Sequence, residues 1–256
     1  MKETSTENSY KSELFIMKRT ATKAALSIVR DFGELERLQI SRKGVGNFTT
    51  SADIRAEDRI VTELQRSGTN YHILSEERGF IKSPIKNCNH TWVVDPIDGT
   101  NNFRRGIPHF CISIALTKGN TPVASVCLEP IRGTLFKSAY GYGAYADKRN
   151  RLRVTSRINL PEAVIALHTN NELATHELMR SKSIIRRTGS VALDLAYLAA
   201  GKYDAVIIDN VQWWDIASGI ILVTEAGGFV NYEKSGDSYK LRGACTTRLL
   251  KIISNW

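Results

Sequence analysis

The first quarter of the chain carries apolar residues at helical spacing. They recur every three or four positions, at Leu14, Met17, Ala21, Ala25 and Ile28. This spacing predicts an amphipathic helix, and Gly33 predicts its end. A glycine-punctuated loop is predicted over Arg42–Asp53, where Ser51 or Asp53 would cap a second helix. The apolar positions of that second helix include Ile54, Val61 and Leu64.

Apolar runs separated by turn residues follow, which is the pattern of a sheet. Tyr71–Leu74 predicts a short strand that leads into Ser75-Glu76-Glu77-Arg78-Gly79. Trp92–Val94 predicts a buried strand that ends at Asp95. Further strands are predicted over Cys111–Thr117, Val123–Leu128 and Leu135–Ser138, with a hairpin between Gly141 and Asn150. Two helices and a largely antiparallel sheet therefore predict an α+β domain over residues 1–155.

Beyond residue 155, predicted strands alternate with predicted helices. The strands are Ala163–Leu167, Ser183–Arg186, Ala205–Ile208 and Phe229–Tyr232. The helices are Leu173–Arg180, Val191–Ala200 and Ile216–Ala226. This alternation predicts an α/β domain over residues 156–256.

Carboxylates stand at the ends of three predicted elements. Glu76 and Glu77 follow a strand, Asp95 and Asp98 follow the buried strand, and Asp215 precedes an apolar helix. Each placement has a purely structural alternative. Asp215 fits the N-cap of its helix, D-P-I-D-G-T is rich in turn residues, and a glutamate pair at a strand end is commonly solvated.

The pair Asp95 and Asp98 is the hardest to explain structurally. Two carboxylates delivered by one buried strand repel each other, and a cation normally neutralises them. Oxygen ligands of this kind suit Mg²⁺. The following G-T-N-N can begin a helix whose free amides bind phosphate. Metal-binding carboxylates beside an anion-binding turn favour phosphate chemistry.

A family resemblance rests on four motifs. In chain order they are K-G-V-G-N-F-T-T-S-A-D, S-E-E-R-G, W-V-V-D-P-I-D-G-T-N-N-F and W-W-D-I-A-S-G…T-E-A-G-G. Together they resemble the inositol monophosphatase family, from about Lys11 to the C-terminus. The resemblance implies a layered αβαβα sandwich of the inositol monophosphatase and fructose-1,6-bisphosphatase type. It also implies a magnesium-dependent, often lithium-sensitive phosphatase that is commonly a homodimer.

The same resemblance implies a set of metal ligands. Glu76, Asp95 and the backbone carbonyl of Ile97 would hold a first Mg²⁺. Asp95, Asp98 and Asp215 would hold a second, and Glu76 would also reach a weaker third.

Catalytic and substrate-binding roles are implied as well. Thr100, oriented by Asp53, would act with Glu76 to position and deprotonate the attacking water. The amides of Gly99 and Thr100 would bind phosphate, and Lys43 would lie on a mobile loop over the site. The remaining substrate-binding positions are Asp98, Gly189, Ser190, Val191 and Asp215.

One position departs from the family pattern. The family carries a glutamate that accepts hydrogen bonds from substrate hydroxyls seven residues before the metal aspartate of W-D. Here that position is Ile208, and the nearest acid is Asp209. Isoleucine cannot accept such bonds, and recognition of hydroxyls depends on them. Either Asp209 substitutes through a local shift, or the enzyme prefers a different phosphate ester.

The composition of the chain limits the kinds of binding partner that we expect. The net charge is +9, yet the basic residues are dispersed and no nucleic-acid recognition motif accompanies them. The four cysteines form no C-x-x-C pair, no apolar run is long enough to span a bilayer, and the polar N-terminus lacks the apolar segment of a secretory signal. We therefore expect a cytoplasmic protein with free thiols and a small phosphorylated substrate, without a membrane or nucleic-acid partner.

The sequence thus predicts a Mg²⁺-dependent phosphomonoesterase with inositol 1-phosphate as the first candidate substrate. Metal-activated water would attack directly, without a phosphoenzyme. One alternative keeps the fold but changes the ester to a sugar bisphosphate, a nucleotide 3′-phosphate or NADP. Another is a protein that binds RNA or a transcription complex through its basic surface.

Overall fold

Two long helices form the first layer of the protein. The computed structural model describes residues 10–41, 45–147 and 150–256. Helix α1 (Lys11–Ser41) packs along α2 (Val45–Gln65), and both lie on one face of a sheet. Their apolar stripes are fully buried at Met17, Ile28 and Ile60. The predicted amphipathic character of both helices is therefore confirmed.

Helix α1 does not end where the sequence predicted. It continues through Gly33 to Ser41. Phe32 and Leu35 are buried in the core beneath it, so the apolar stripe extends past the glycine. Packing of that stripe outweighs the helix-breaking tendency of one glycine.

The predicted loop over Arg42–Asp53 is also wrong from Val45 onward. Helix α2 already begins at Val45, and Ala52 and Asp53 are buried within it, so neither Ser51 nor Asp53 is its N-cap. Ile54, counted among the apolar positions, is exposed.

The first sheet has eight strands in the order β2-β1-β3-β4-β5-β6-β7-β8. They are β1 (His72–Ser75), β2 (Gly79–Ile81), β3 (His90–Asp98), β4 (Cys111–Lys118), β5 (Thr121–Leu128), β6 (Leu135–Ala139), β7 (Gly143–Ala146) and β8 (Asn150–Arg151). Strands β1 and β3 are parallel and all other neighbours are antiparallel. The largely antiparallel sheet is confirmed. A short helix, α3 (Thr100–Arg104), follows β3.

The second sheet has five strands in the order β10-β9-β11-β13-β12. They are β9 (Val164–His168), β10 (Ile184–Arg186), β11 (Ala205–Val211), β12 (Phe229–Ser235) and β13 (Ser238–Ala244). Strands β10, β9 and β11 are mutually parallel, whereas β13 runs antiparallel to β11 and β12. The sequence did not predict β13 or the final helix α7 (Thr247–Ile253).

Two helices fill the space between the sheets. Helices α5 (Val191–Ala199) and α6 (Trp213–Glu225) contact strands of both sheets. They are apolar on nearly every side, as a helix must be when both its faces are covered. Helix α4 (Glu172–Arg180) and α7 pack on the second sheet. The layers stack as αβαβα, which confirms the predicted fold class.

The division into domains at residues 155 and 156 stays a prediction. The first sheet ends at Arg151 and the second begins at Val164. Among the described residues, no helix has the length and hydropathy that crossing a membrane requires.

Close approach of the two middle helices depends on one glycine. A Cβ on Gly219 of α6 would lie 2.3 Å from Leu195 Cβ on α5. We predict that Gly219→Ala destabilises the protein by about 1–3 kcal/mol, as overpacking does. This outweighs the gain of about 1 kcal/mol that alanine brings to a helix. Urea unfolding measures the change.

Gly33 provides the matched control, because a Cβ there meets nothing within 4 Å. Gly33→Ala should stabilise the protein by about 0.5–1 kcal/mol. Equal stability of Gly219→Ala and the wild type would contradict the proposed packing of α5 on α6.

Candidate metal centre

Three aspartates from distant parts of the chain meet at one point. Asp95, Asp98 and Asp215 each offer a carboxylate oxygen, and these oxygens lie within 4.8 Å of one another. Asp95 and Asp98 are buried, and Asp215 is half-buried. Three like charges in so small a volume are unfavourable unless protons or a cation neutralise them.

A β-bulge lets one strand deliver two of these acids. Strand β3 does not end at Asp95, as predicted, but continues to Asp98. Asp95 pairs with Ser113 and Asp98 with Cys111, so three steps on β3 match two steps on β4. Without this extra residue, side chains three positions apart would point to opposite faces. The bulge brings both carboxylates to the same face.

Asp215 reaches the cluster from the start of α6. Gln212 is the N-cap of this helix, and Asp215 is its third residue. The Gln212 amide donates to Asp215 Oδ2 at 2.7 Å, which completes a capping box. The structural alternative that made Asp215 the N-cap is therefore wrong. The Asp215 carboxylate therefore both caps α6 and belongs to the acid cluster.

Asp98 is anchored by the beginning of α5. The Ser190 hydroxyl donates to its Oδ2 at 2.5 Å, and the Ala192 amide donates to the same oxygen at 2.8 Å. The Val191 amide donates to Oδ1 at 3.2 Å. Ser190 and Val191, expected at the substrate, thus face an acid of the cluster. Of the predicted Gly189-Ser190-Val191 loop, only Gly189 is exposed.

Glu76 stands beside these acids, after β1. Glu76 is exposed and is not one of the three acids whose oxygens lie within 4.8 Å, but burial of its carboxyl group and the charges of Glu77, Asp53 and Asp98 act on its pKa, which places it near the cluster. The preceding Ser75 hydroxyl donates to Glu57 Oε1 at 3.0 Å, and the Glu77 amide donates to Glu57 Oε2 at 2.8 Å. Glu57 therefore fixes the turn that carries Glu76.

Sequence reasoning missed Glu57. It is fully buried on α2, and a signal was available. Glu57 lies four residues after Asp53 and four before Val61, on the stripe that was expected to be apolar. A carboxylate on a buried helical stripe needs hydrogen-bond partners, which points to a role in holding another segment.

The acids raise one another's pKa values. Burial, followed by the charges of neighbouring acids, raises the pKa of Asp95 well above its usual range. The same two causes raise the pKa of Asp215 to about 7 and the pKa of Glu76 to about 7. Burial also raises the pKa of Asp98, although its hydrogen bonds favour the ionised form. The cluster carries more negative charge than its surroundings neutralise.

Thr100 and Asp53 are the two residues that the resemblance links in positioning the attacking water. The Thr100 hydroxyl donates to the Ile97 carbonyl at 3.1 Å, and no hydrogen bond joins it to Asp53 in the described part of the chain. Asp53 Oδ1 is buried without a hydrogen-bond partner there. Burial, with the charge of Glu77, raises the pKa of Asp53 to about 7. Its orienting role stays a prediction.

Gly99 separates the bulge from α3, with a φ of 103° that favours glycine. A Cβ here would lie 3.1 Å from Phe110 Cβ and 3.3 Å from the Gly189 carbonyl. The backbone turn next to the acids therefore requires this residue. Lys43, the remaining predicted residue, lies outside the described residues.

Ile208 and Asp209, at the position where the chain departs from the family pattern, lie in different environments. Ile208 is fully buried in the core. Asp209 accepts from Arg242 Nη1 at 2.8 Å through Oδ1 and from the Thr169 hydroxyl through Oδ2. Each Asp209 oxygen thus has one protein partner and can accept a further hydrogen bond, so substitution of Asp209 for the missing glutamate stays a prediction.

Known proteins match both the sequence and the fold. The model of the inositol monophosphatase family matches residues 10–249. An inositol-1-monophosphatase from Mesorhizobium japonicum is 43% identical over 227 residues, which cover 85% of this chain and 84% of that protein. A Nus factor SuhB from Escherichia coli is 36% identical over 240 residues, covering 90% of this chain and 88% of that protein.

A solved structure agrees with these matches. The crystal structure of the extragenic suppressor protein suhB from Bartonella henselae aligns with a TM-score of 0.83 at 35% identity, covering 96% of this chain and 98% of that one. Residues 10–249, which the family model matches, include both sheets and every segment that supplies an acid to the cluster. The chain therefore belongs to the inositol monophosphatase family of phosphatases.

Proposed function

We propose that this chain is a Mg²⁺-dependent phosphomonoesterase that hydrolyses a small phosphate ester. The observation that carries the proposal is the convergence of Asp95, Asp98 and Asp215, with Glu76 beside them. Inositol 1-phosphate is the first substrate to test, because it is the ester that names the family. Homodimer formation and lithium sensitivity remain predictions from the resemblance, and a cytoplasmic location remains a prediction from the composition.

The donor set fits Mg²⁺. Every candidate ligand is an oxygen, namely the four carboxylates and the Ile97 carbonyl, and hard divalent cations prefer such ligands. Burial, followed by the charges of neighbouring acids, raises the pKa values of Asp95 and Asp215, and a bound cation would stabilise their ionised forms. Glu76, Asp95, Asp98, Asp215 and Ile97 would hold two or three ions. When bound, these ions lower the pKa of a coordinated water from about 15.7 toward about 7 and stabilise charge on the leaving oxygen.

The chain's own residues would orient the water and the phosphate. The Thr100 hydroxyl has committed its proton to the Ile97 carbonyl, so its oxygen is left to accept a hydrogen bond from water. Glu76 is proposed to act with Thr100 in positioning and deprotonating the attacking water. The amides of Gly99 and Thr100 are proposed to hold the phosphate. The remaining proposed substrate contacts are Gly189, Ser190, Val191, Asp98, Asp215 and Lys43. Asp53 is the remaining proposed catalytic residue.

The proposal predicts that Asp95→Asn abolishes phosphate release from inositol 1-phosphate with Mg²⁺. The loss should exceed the roughly 10–100-fold that removal of a group supporting a metal ligand costs. Colorimetric phosphate release measures activity, and circular dichroism checks that the fold is intact. Asp237→Asn, at an exposed turn, is the matched control and should keep wild-type activity. Full activity of folded Asp95→Asn would refute the mechanism.

A second prediction concerns stability without metal. The pKa of Glu76 is about 7 in the folded protein, against about 4.3 for an unperturbed glutamate. The folded state therefore binds this proton more tightly, and the contribution of Glu76 to stability falls as pH rises from about 4 to about 7. In a chelator, the free energy of unfolding of Glu76→Gln should rise relative to the wild type over this range.

Chemical denaturation at several pH values measures this difference. Glu233→Gln, on exposed β12, removes the same charge away from the cluster and should show no such trend. In saturating Mg²⁺ the wild type should instead be more stable than Glu76→Gln, because a ligand at about 100 times its Kd stabilises the wild type by about 2.7 kcal/mol. A metal-free Glu76→Gln that becomes less stable than the wild type as pH rises would contradict the assigned electrostatics.

A second candidate function is binding of RNA or of a transcription complex. The net charge of +9 and the name Nus factor SuhB among the relatives favour it. If this candidate is right, RNA binding should be weakened by salt and should survive Asp95→Asn. The reason is that basic side chains on the protein surface, away from Asp95, would contact the RNA phosphates. Filter binding at low and high salt tests this, and absence of binding at low salt removes the candidate.

A further inference from the structure

An apolar ridge runs along the outer face of α1. Phe15, Leu26 and Val29 expose 65%, 72% and 43% of their surfaces. At about 100° per residue, these three positions lie within roughly 60° of the helix circumference and span roughly 20 Å of its length. Met17 and Ile28, on the opposite side of the helix, fill the core beneath it. Helix α1 is therefore apolar on two sides, and the fold covers only one of them.

The apolar surface continues into a groove beside the ridge. The groove has a volume of about 450 Å³, and its apolar walls are Ala25, Leu26, Val29, Leu128, Pro130 and Leu135. Asp147 is the only acid among the described residues that line it. Single exposed apolar residues are ordinary on a protein surface, whereas a contiguous apolar area marks an interaction site. The ridge and the groove together form such an area.

Cations border the ridge on both sides. They are Lys18 toward the groove and Arg19, Lys23 and Arg30 toward α2, and all four are exposed. From Lys11 to Arg30 the only acid in the sequence is Glu13, whose side chain is buried. Over this range the outer face of α1 therefore carries positive charge without an exposed acid.

Part of this positive charge is uncompensated. Lys23 and Arg30 each form an ion pair with an acid, at 2.7 Å and 3.3 Å. In the described part of the chain, no carboxylate forms an ion pair with Lys18 or Arg19. Burial, followed by the charge of Lys18, lowers the pKa of Lys137 on β6, so a further ammonium group lies near Lys18. The edge of the apolar ridge therefore attracts anions.

An anionic lipid bilayer matches both features of this face. Its hydrocarbon accepts an exposed apolar ridge, while its phosphates attract the bordering lysines and arginines. Those long side chains can keep their charged ends among the headgroups while the helix approaches the hydrocarbon. A nucleic acid would pair with the cations but leave the ridge in water. A second copy of this chain, docked through the same face, would bring like charges together.

We propose that the outer face of α1 binds the surface of an anionic membrane. The apolar ridge enters the headgroup region, and Lys18 and Arg19 lie among the lipid phosphates. The expectation of no membrane partner rested on the lack of an apolar run long enough to span a bilayer, and surface binding needs no such run. The acid cluster, which α5 and α6 help to hold, lies on the other face of the first sheet. A docked protein therefore keeps the cluster turned away from the membrane.

Flotation of the full chain with lipid vesicles tests the proposal. Vesicles of equal parts phosphatidylglycerol and phosphatidylcholine should carry the protein at low salt, whereas phosphatidylcholine alone should not. Binding should weaken as salt rises from about 0.1 M to about 1 M, because the Debye length falls from about 10 Å to about 3 Å. Lys18→Gln/Arg19→Gln should weaken it roughly tenfold or more, at roughly fivefold for each cation lost. Phe15→Ser/Leu26→Ser should weaken it at least as much, because the ridge then gains little by leaving water.

Two matched controls separate this face from the rest of the surface. Arg180→Gln/Lys251→Gln removes the same charge from exposed positions on α4 and α7. Leu173→Ser/Met179→Ser removes apolar side chains of α4 that are 58% and 65% exposed. Neither control should change vesicle binding.

The proposal is overturned if the wild type does not float with anionic vesicles at low salt, if the α1 variants float as the wild type does, or if the controls lose as much binding. Binding to RNA without binding to vesicles also overturns it, in favour of the basic-surface candidate. Circular dichroism checks folding, and Lys18→Gln/Arg19→Gln, a change at two exposed positions, decides the outcome if the apolar variant unfolds. Vesicle binding needs no catalysis, so this test is independent of the proposed phosphatase function.

Discussion

Mutual repulsion among buried carboxylates is the constraint around which this structure is built. Asp95, Asp98 and Asp215 hold oxygens within 4.8 Å of one another, and burial raises the pKa of each. Several features keep them together despite this cost. The bulge in β3 turns two acids to one face, the start of α5 donates to Asp98, and the capping box of α6 fixes Asp215. An arrangement held so firmly against its own electrostatics is suited to a multivalent cation.

The layered fold explains how such distant residues meet. Helices α5 and α6 lie between the two sheets, and their first turns point at the bulged end of β3. One sheet thus supplies two acids, and the middle layer supplies the third together with the amides that hold Asp98. Wherever the chain is divided into domains, the centre needs residues from both sides of the division. Close contact of the middle helices, permitted by Gly219, therefore bears directly on the geometry of the site.

Much of this could be predicted from the sequence, and the failures have physical reasons. Local patterns identified the acids and most strands, since buried strands and turn residues act over short ranges, whereas the αβαβα class was implied by the family resemblance. The helix α1 was predicted too short because burial of Leu35, a tertiary effect, outweighs Gly33. The bulge and the pairing of Asp209 with Arg242 depend on register and on contacts 33 residues apart, which spacing alone does not reveal. Glu57 was missed because its partners come from a different element.

Metal occupancy at the acid cluster is the central claim, and anomalous diffraction tests it most directly. Crystals of the full chain soaked in Mn²⁺, an oxygen-preferring stand-in for Mg²⁺, would be measured at the manganese absorption edge. The account predicts an anomalous peak between Asp95, Asp98 and Asp215, and its disappearance in crystals of Asp95→Asn. An empty cluster in wild-type crystals, from protein that still releases phosphate with Mn²⁺, would contradict it.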